Sequence, residues 1–111
     1  MVVKVYVSAT SGNVMMKVKQ DHIRRVLDAK KIPYTEIDVA APHQVDEKVF
    51  MQKTLQLDDE DLVALPPQVF NDKNYRGDYD AFFKAIECEH LFEYLDVEVP
   101  KHEVEYTLRH G

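Results

Sequence analysis

The feature that most constrains the fold is a change of hydrophobic period before residue 40. Val3, Val5 and Val7 alternate with Lys4 and Tyr6, and Val2 extends the run. Period two with β-branched side chains predicts a strand. The next residues, Ser8-Ala9-Thr10-Ser11-Gly12-Asn13, are loop and N-cap types. From about Val14 the period lengthens: Met15, Val18, His22 and Val26 fall at steps of three and four, and Ile23 and Leu27 widen the stripe. That spacing predicts an amphipathic helix of about four to five turns. It should end near Lys30 and Lys31, where cations suit the dipole, with Pro33 as the stop. Tyr34 to Val39 then reads as a second short strand. Two strands joined through a helix predict a right-handed βαβ unit with a parallel pair.

Pro42 opens a second helix, with Asp46 and Glu47 near its start and Val45, Val49, Phe50, Leu55 and Leu57 as its apolar side. Asp58-Asp59-Glu60-Asp61 reads as a solvated acidic loop. In Leu65-Pro66-Pro67-Gln68-Val69-Phe70 the prolines have no N–H for a ladder, so they belong at a strand entrance. The polar turn Asn71-Asp72-Lys73-Asn74 and then Tyr75-Arg76-Gly77 complete a hairpin. Tyr79, Phe82, Phe83 and Ile86 mark a third helix with Asp78 as N-cap, and Leu91, Phe92 and Leu95 a further short helical segment. The predicted order is β-α-β-α-β-β-α, an α/β domain over residues 1–99 with a four-stranded mixed sheet and helices on both faces. Residues 100–111 carry few apolar anchors and are expected to form a loose tail.

Composition narrows the function. The 111 residues carry a formal net charge of −6, which argues against nucleic acid as a partner, since phosphate binding rests on clustered Lys and Arg. The basic residues Lys17, Lys19, Arg24 and Arg25 are interleaved with apolar positions and read as a solvated helix face. No apolar run approaches a membrane span, and the first residues read as a strand and not as a signal peptide. The single cysteine, Cys88, has no intrachain disulfide partner. A monomer of the cytoplasm or nucleus is expected. Cys88 and His90, with His102 and His110, lack zinc-site spacing, so no metal is expected. Arg76-Gly77-Asp78 reads as a turn glycine followed by an N-cap, and His22 as a histidine at the edge of the core.

Three segments carry a resemblance: Val5-Tyr6-Val7-Ser8 with Ser11-Gly12, Leu65-Pro66-Pro67-Gln68-Val69-Phe70-Asn71, and the run from Tyr75 to Phe83. Over about residues 2 to 99 the chain resembles the SH3-domain-binding glutamic acid-rich-like proteins, a glutaredoxin-like branch of the thioredoxin fold. The resemblance implies a cis bond at Pro67. It also places Ser11-Gly12-Asn13-Val14 where glutaredoxins carry Cys-x-x-Cys. A serine hydroxyl cannot carry out thiol–disulfide exchange at neutral pH. No His–Asp pair is visible near Ser11 to activate it, and Cys88 lies far along the third helix.

By the same resemblance, the residue before the cis-proline pairs with glutathione through its backbone. Here that residue is Pro66, without an N–H. The start of the third helix around Tyr79 and Asp80 still offers backbone donors and a positive dipole, but Asp78 and Asp80 oppose an anionic ligand there, and Ser8 stands where lysine is common in glutaredoxins. Glutathione binding is therefore expected to be weak or absent, with Kd above about 1 mM. SH3 binding through Ala64 to Gln68 is suggested by the family's name, but the stretch lacks P-x-x-P spacing. The expected function is a non-catalytic protein-interaction domain, an adaptor or modulator of signalling and redox proteins. Its old active-site groove would be lined by Ser11, Gly12, Leu65, Pro66, Pro67, Gln68, Tyr79 and Asp80. The alternative is a glutathione-binding or glutathione-dependent enzyme with Ser11 or Tyr6 near the ligand.

Overall fold

A computed structural model describes residues 2–9, 12–57 and 65–99. Strand β1 (Val3–Val7) leads into helix α1 (Val14–Ala29) and strand β2 (Tyr34–Asp38). A 3-10 turn (Pro42–Gln44) runs into α2 (Val45–Gln56). The hairpin of β3 (Gln68–Asn71) and β4 (Asn74–Asp78) follows, then α3 (Tyr79–Glu87) and a short α4 (Leu91–Leu95). The sheet order is β2-β1-β3-β4. β1 runs parallel to β2 and antiparallel to β3, and β3 is antiparallel to β4. The predicted order and mixed sheet are therefore present. The acidic loop, Ser11 and the C-terminal tail expected from the sequence lie outside the described residues.

Alternation along β1 assigns its two faces. Val3, Val5 and Val7 point into a core shared with Ile23 and Leu27 of α1, Val69, Phe82 and Ala85 of α3, and Leu91 and Leu95 of α4. Tyr6 points the other way, into a second core with Ile37, Phe70, and Met51 and Leu55 of α2. Helices thus cover both faces, as a sheet buried on each side requires. The Tyr6 hydroxyl donates to Glu47 Oε2 at 2.7 Å and ties β1 to α2. Burial and that acceptor push the phenol well above its ordinary pKa.

Several stripes are turned relative to expectation. In α1 the buried positions are Gln20, Ile23 and Leu27, whereas Met15 and Val18 are 61% and 53% exposed. The first turns carry these apolar side chains on a face that the core does not cover. Lys30 and Lys31 sit past the last helical residue, with Lys31 in the left-handed region at φ 57°. In α2, Met51 and Leu55 are buried while Val45, Val49 and Leu57 are exposed. In α3 the core takes Phe82 and Ala85, and Phe83 lies at the surface. Strand β2 ends at Asp38, one residue before the expected Val39.

The hairpin carries a bulge between Val69 and Phe70, where Val69 pairs with Gly77 and Phe70 with Tyr75. Gly77 has φ 147°, a region L side chains rarely adopt, so the expected turn glycine is a strand glycine at the bulge. α4 is bound to the hairpin by polar contacts distant in sequence. Buried Asn71 donates from Nδ2 to the carbonyls of Leu95 (2.9 Å) and Asp96 (3.0 Å), and Arg76 Nε donates to the Tyr94 carbonyl (2.6 Å).

Candidate functional site

A groove of about 270 Å³ lies where the starts of α1, β3 and α3 converge. Each wall has a local cause. Asn13 caps α1 by accepting the Met16 N–H on Oδ1 at 3.0 Å, which directs Met15, Met16 and Lys19 along one side. Asp78 caps α3 in the same way, accepting the Ala81 N–H at 3.0 Å, and sets Tyr79 and Asp80 opposite. Between them runs Leu65-Pro66-Pro67-Gln68, and the Pro66–Pro67 bond is cis, as the resemblance implied.

This central segment is held from inside. Gln68, buried in β3, donates from Nε2 to the Leu65 carbonyl at 2.8 Å, and its Oε1 accepts the Tyr75 hydroxyl at 2.8 Å. Burial, with Asp78 nearby, pushes the Tyr75 phenol up to about 12. The loop leaving β1 is clamped by Gln20, whose Oε1 accepts the Ser8 N–H at 2.8 Å and whose Nε2 donates to the Ser8 carbonyl at 3.4 Å. Asp38 Oδ1 accepts the N–H of Ala9 at 3.2 Å and of Ala40 at 3.0 Å.

Beside the groove, α1 and α3 meet through aromatic contacts. Tyr79 and Phe83 stack at 6.0 Å with 26° between ring planes. His22 packs on both rings, and its Nδ1 lies 2.8 Å from the Tyr79 hydroxyl. His22 is thus partnered at the margin of the core, as expected. The Lys19 ammonium lies 5.6 Å from the Tyr79 ring centroid, within cation–π range.

Of the residues proposed for the groove, Leu65, Pro66, Pro67, Gln68, Tyr79 and Asp80 come together. Gly12 is exposed just ahead of α1 and is not a wall residue; a Cβ there would meet nothing within 4 Å. Ser11 lies outside the described residues. Sequence reasoning missed Met16, Lys19 and the Gln20 clamp, and placed Met15 in the core. Helical spacing identifies these positions as neighbours but does not give the rotation of the helix against the sheet. Cys88 is the exposed C-cap of α3, at the other end of that helix from the wall residues Tyr79 and Asp80. Among the described residues no group of three or more His, Cys, Asp or Glu is placed to hold a metal ion, and no helix is long and apolar enough to cross a membrane.

The fold is similar to that of the actin interacting protein Aip5 of C. albicans, with a TM-score of 0.62 and 18% identity, covering 85% of this chain and 87% of that one. It is also similar to buckwheat glutaredoxin in its glutathione complex, with a TM-score of 0.57 and 16% identity, covering 85% and 76%. At these identities the likeness concerns the fold alone, and it defines the class: a thioredoxin-like α/β domain of glutaredoxin type. The model of the SH3-binding, glutamic acid-rich protein family matches residues 1–98. The SH3 domain-binding glutamic acid-rich protein homolog of Drosophila melanogaster is 43% identical over an alignment of 101 residues, with 86% of this chain and 64% of that relative covered. The chain belongs to this family. With one cysteine, its 111 residues contain no redox-active cysteine pair.

Proposed function

We propose that this domain is a non-catalytic interaction module that receives a protein partner in the groove between α1, the Leu65–Gln68 segment and α3. The observation that carries the reading is the exposed apolar rim: Met15 and Leu65 are 61% and 60% exposed and flank the half-buried Tyr79. Such side chains around a concavity are what a protein partner covers on binding. The family description and the name of the Drosophila relative speak of SH3 binding for those proteins, which favours a protein partner here. An adaptor or modulator role in a reducing compartment, as a monomer, is the setting this reading assumes.

An SH3 domain is a poor fit to the Leu65–Gln68 segment itself. Pro67 is buried and Gln68 belongs to β3, so the segment would have to leave the sheet to serve as a free ligand. Catalysis with glutathione is disfavoured by the missing N–H at Pro66, by the engaged Leu65 carbonyl and by the carboxylates of Asp78 and Asp80. Titration of the ¹⁵N-labelled protein with reduced glutathione should leave Leu65, Gln68, Tyr79 and Asp80 unshifted. A photo-crosslinking residue at position 65 should form partner adducts in cells that Tyr79→Ala removes, whereas one at Val45, exposed on α2 across the sheet, should not form them. Equal adducts at both positions, or adducts at 65 indifferent to Tyr79→Ala, would count against the groove.

A further inference from the structure

The central wall of the groove, Leu65 to Pro67, offers a ligand no alternating row of backbone donors and acceptors. Pro66 and Pro67 have no N–H, and the Leu65 carbonyl already accepts from Gln68. On the other two walls the Met16 and Ala81 N–H groups are taken by the caps Asn13 and Asp78. A segment that adds as a strand needs an alternating row of donors and acceptors. No such row exists along this wall. A polyproline-II segment makes no internal or ladder hydrogen bonds, keeps its backbone in water, and is read by apolar and aromatic side chains. Those are what the groove presents, in Met15, Leu65 and Tyr79.

Charge adds a second requirement. Asp78 and Asp80 are both exposed at the start of α3, and the cation of the described wall, Lys19, is drawn over the Tyr79 ring. Among the described wall side chains two carboxylates face one ammonium, and exposed Asp80 offers a ligand cation a partner. Building on the groove reading above, we infer that the partner supplies a polyproline-II segment containing an arginine or lysine. Its prolines or other apolar side chains lie on Met15, Leu65 and Tyr79, and its cation pairs with Asp80.

Selection from a phage library of random linear peptides against the intact protein tests this, with affinities then measured by fluorescence anisotropy. The expected outcome is enrichment of peptides that pair proline with a nearby arginine or lysine. Asp80→Asn should weaken them by about fivefold, the scale of one exposed ion pair. Asp80→Lys should weaken them further, and changing the ligand's arginine to glutamate should recover binding to that variant. Asp80 is exposed in the first turn of α3, so both variants are expected to fold, which far-UV circular dichroism checks. Peptides that bind the groove but are acidic, or lack proline, would overturn this inference and leave the interaction reading standing. No enrichment, or peptides whose NMR shifts fall away from Met15, Leu65 and Tyr79, would overturn both.

Discussion

Gly77 and Tyr94 form a packing pair whose energetics can be worked out from geometry. A Cβ on Gly77 would lie 2.4 Å from the Tyr94 hydroxyl oxygen and 2.8 Å from Ala81 Cβ, at a residue with φ 147°. The backbone conformation alone should cost a non-glycine residue about 1–3 kcal/mol. Overpacking against Tyr94 and Ala81 adds about 1–3 kcal/mol, so Gly77→Ala should destabilise the domain by about 2–6 kcal/mol in total. With a urea m-value of about 1–1.5 kcal/mol/M for a small domain, the unfolding midpoint falls by about 1–6 M. The Tyr94 hydroxyl is buried without a hydrogen-bond partner among the described residues, and burial raises its pKa. Tyr94→Phe removes that unsatisfied group and should leave stability unchanged or raise it by about 1 kcal/mol. It also removes the nearest clashing atom, so in the double variant the cost of Gly77→Ala should shrink by about 1–2 kcal/mol. The residual reflects φ and the contact with Ala81. Urea unfolding of the four proteins, followed by far-UV circular dichroism, completes the cycle. The reasoning is refuted if Gly77→Ala costs less than about 1 kcal/mol, or if the two substitutions are strictly additive.

Other expectations follow from buried polar groups. Asn71→Ala should destabilise by about 2–3 kcal/mol in urea unfolding, because two carbonyls at the end of α4 lose their donor. Amide exchange should rise selectively in α4. Gln20→Leu should free the Ser8 backbone and cost about 1–3 kcal/mol, with the Ser8 resonance moving most in the NMR spectrum. Alkaline pH should unfold the domain early. The phenols of Tyr6, Tyr75 and Tyr94 all titrate above the ordinary tyrosine value near 10. Below about pH 10 folded and unfolded chains hold these protons equally. Above it the unfolded chain releases protons that the folded one keeps, so stability falls as pH rises, by about 1.4 kcal/mol per pH unit for each of the buried Tyr6 and Tyr94 hydroxyls. A urea midpoint that stays flat from about pH 8 to 11 would contradict this.

What the sequence determined by itself is the list of elements and their order. The alternation at Val3, Val5 and Val7, the change of period after Asn13, the prolines before Val69 and the cap at Asp78 are each local signals. Each acts through backbone sterics or a hydrogen bond a few residues long. The same local motifs carried the family resemblance and the missing cysteine pair. Only the tertiary structure decided which side of each helix faces the sheet. Period 3.6 marks Met15, Val18, His22 and Val26 as one stripe that Ile23 and Leu27 widen, yet burial chose the Ile23 and Leu27 edge, and with it Gln20, and left Met15 and Val18 exposed. The periodicity of an isolated helix has no reference direction, and the partner surface supplies it. The same holds for Phe83, left on the surface beside Tyr79 while Phe82 filled the core. Contacts between residues far apart in sequence, such as Asn71 with Leu95, Gln20 with Ser8 and Gly77 with Tyr94, leave no periodic trace in a single chain. These contacts shape the groove and the hairpin behind it. They arise only when the layers pack, because a buried polar group or a missing Cβ takes its meaning from what lies across the interface.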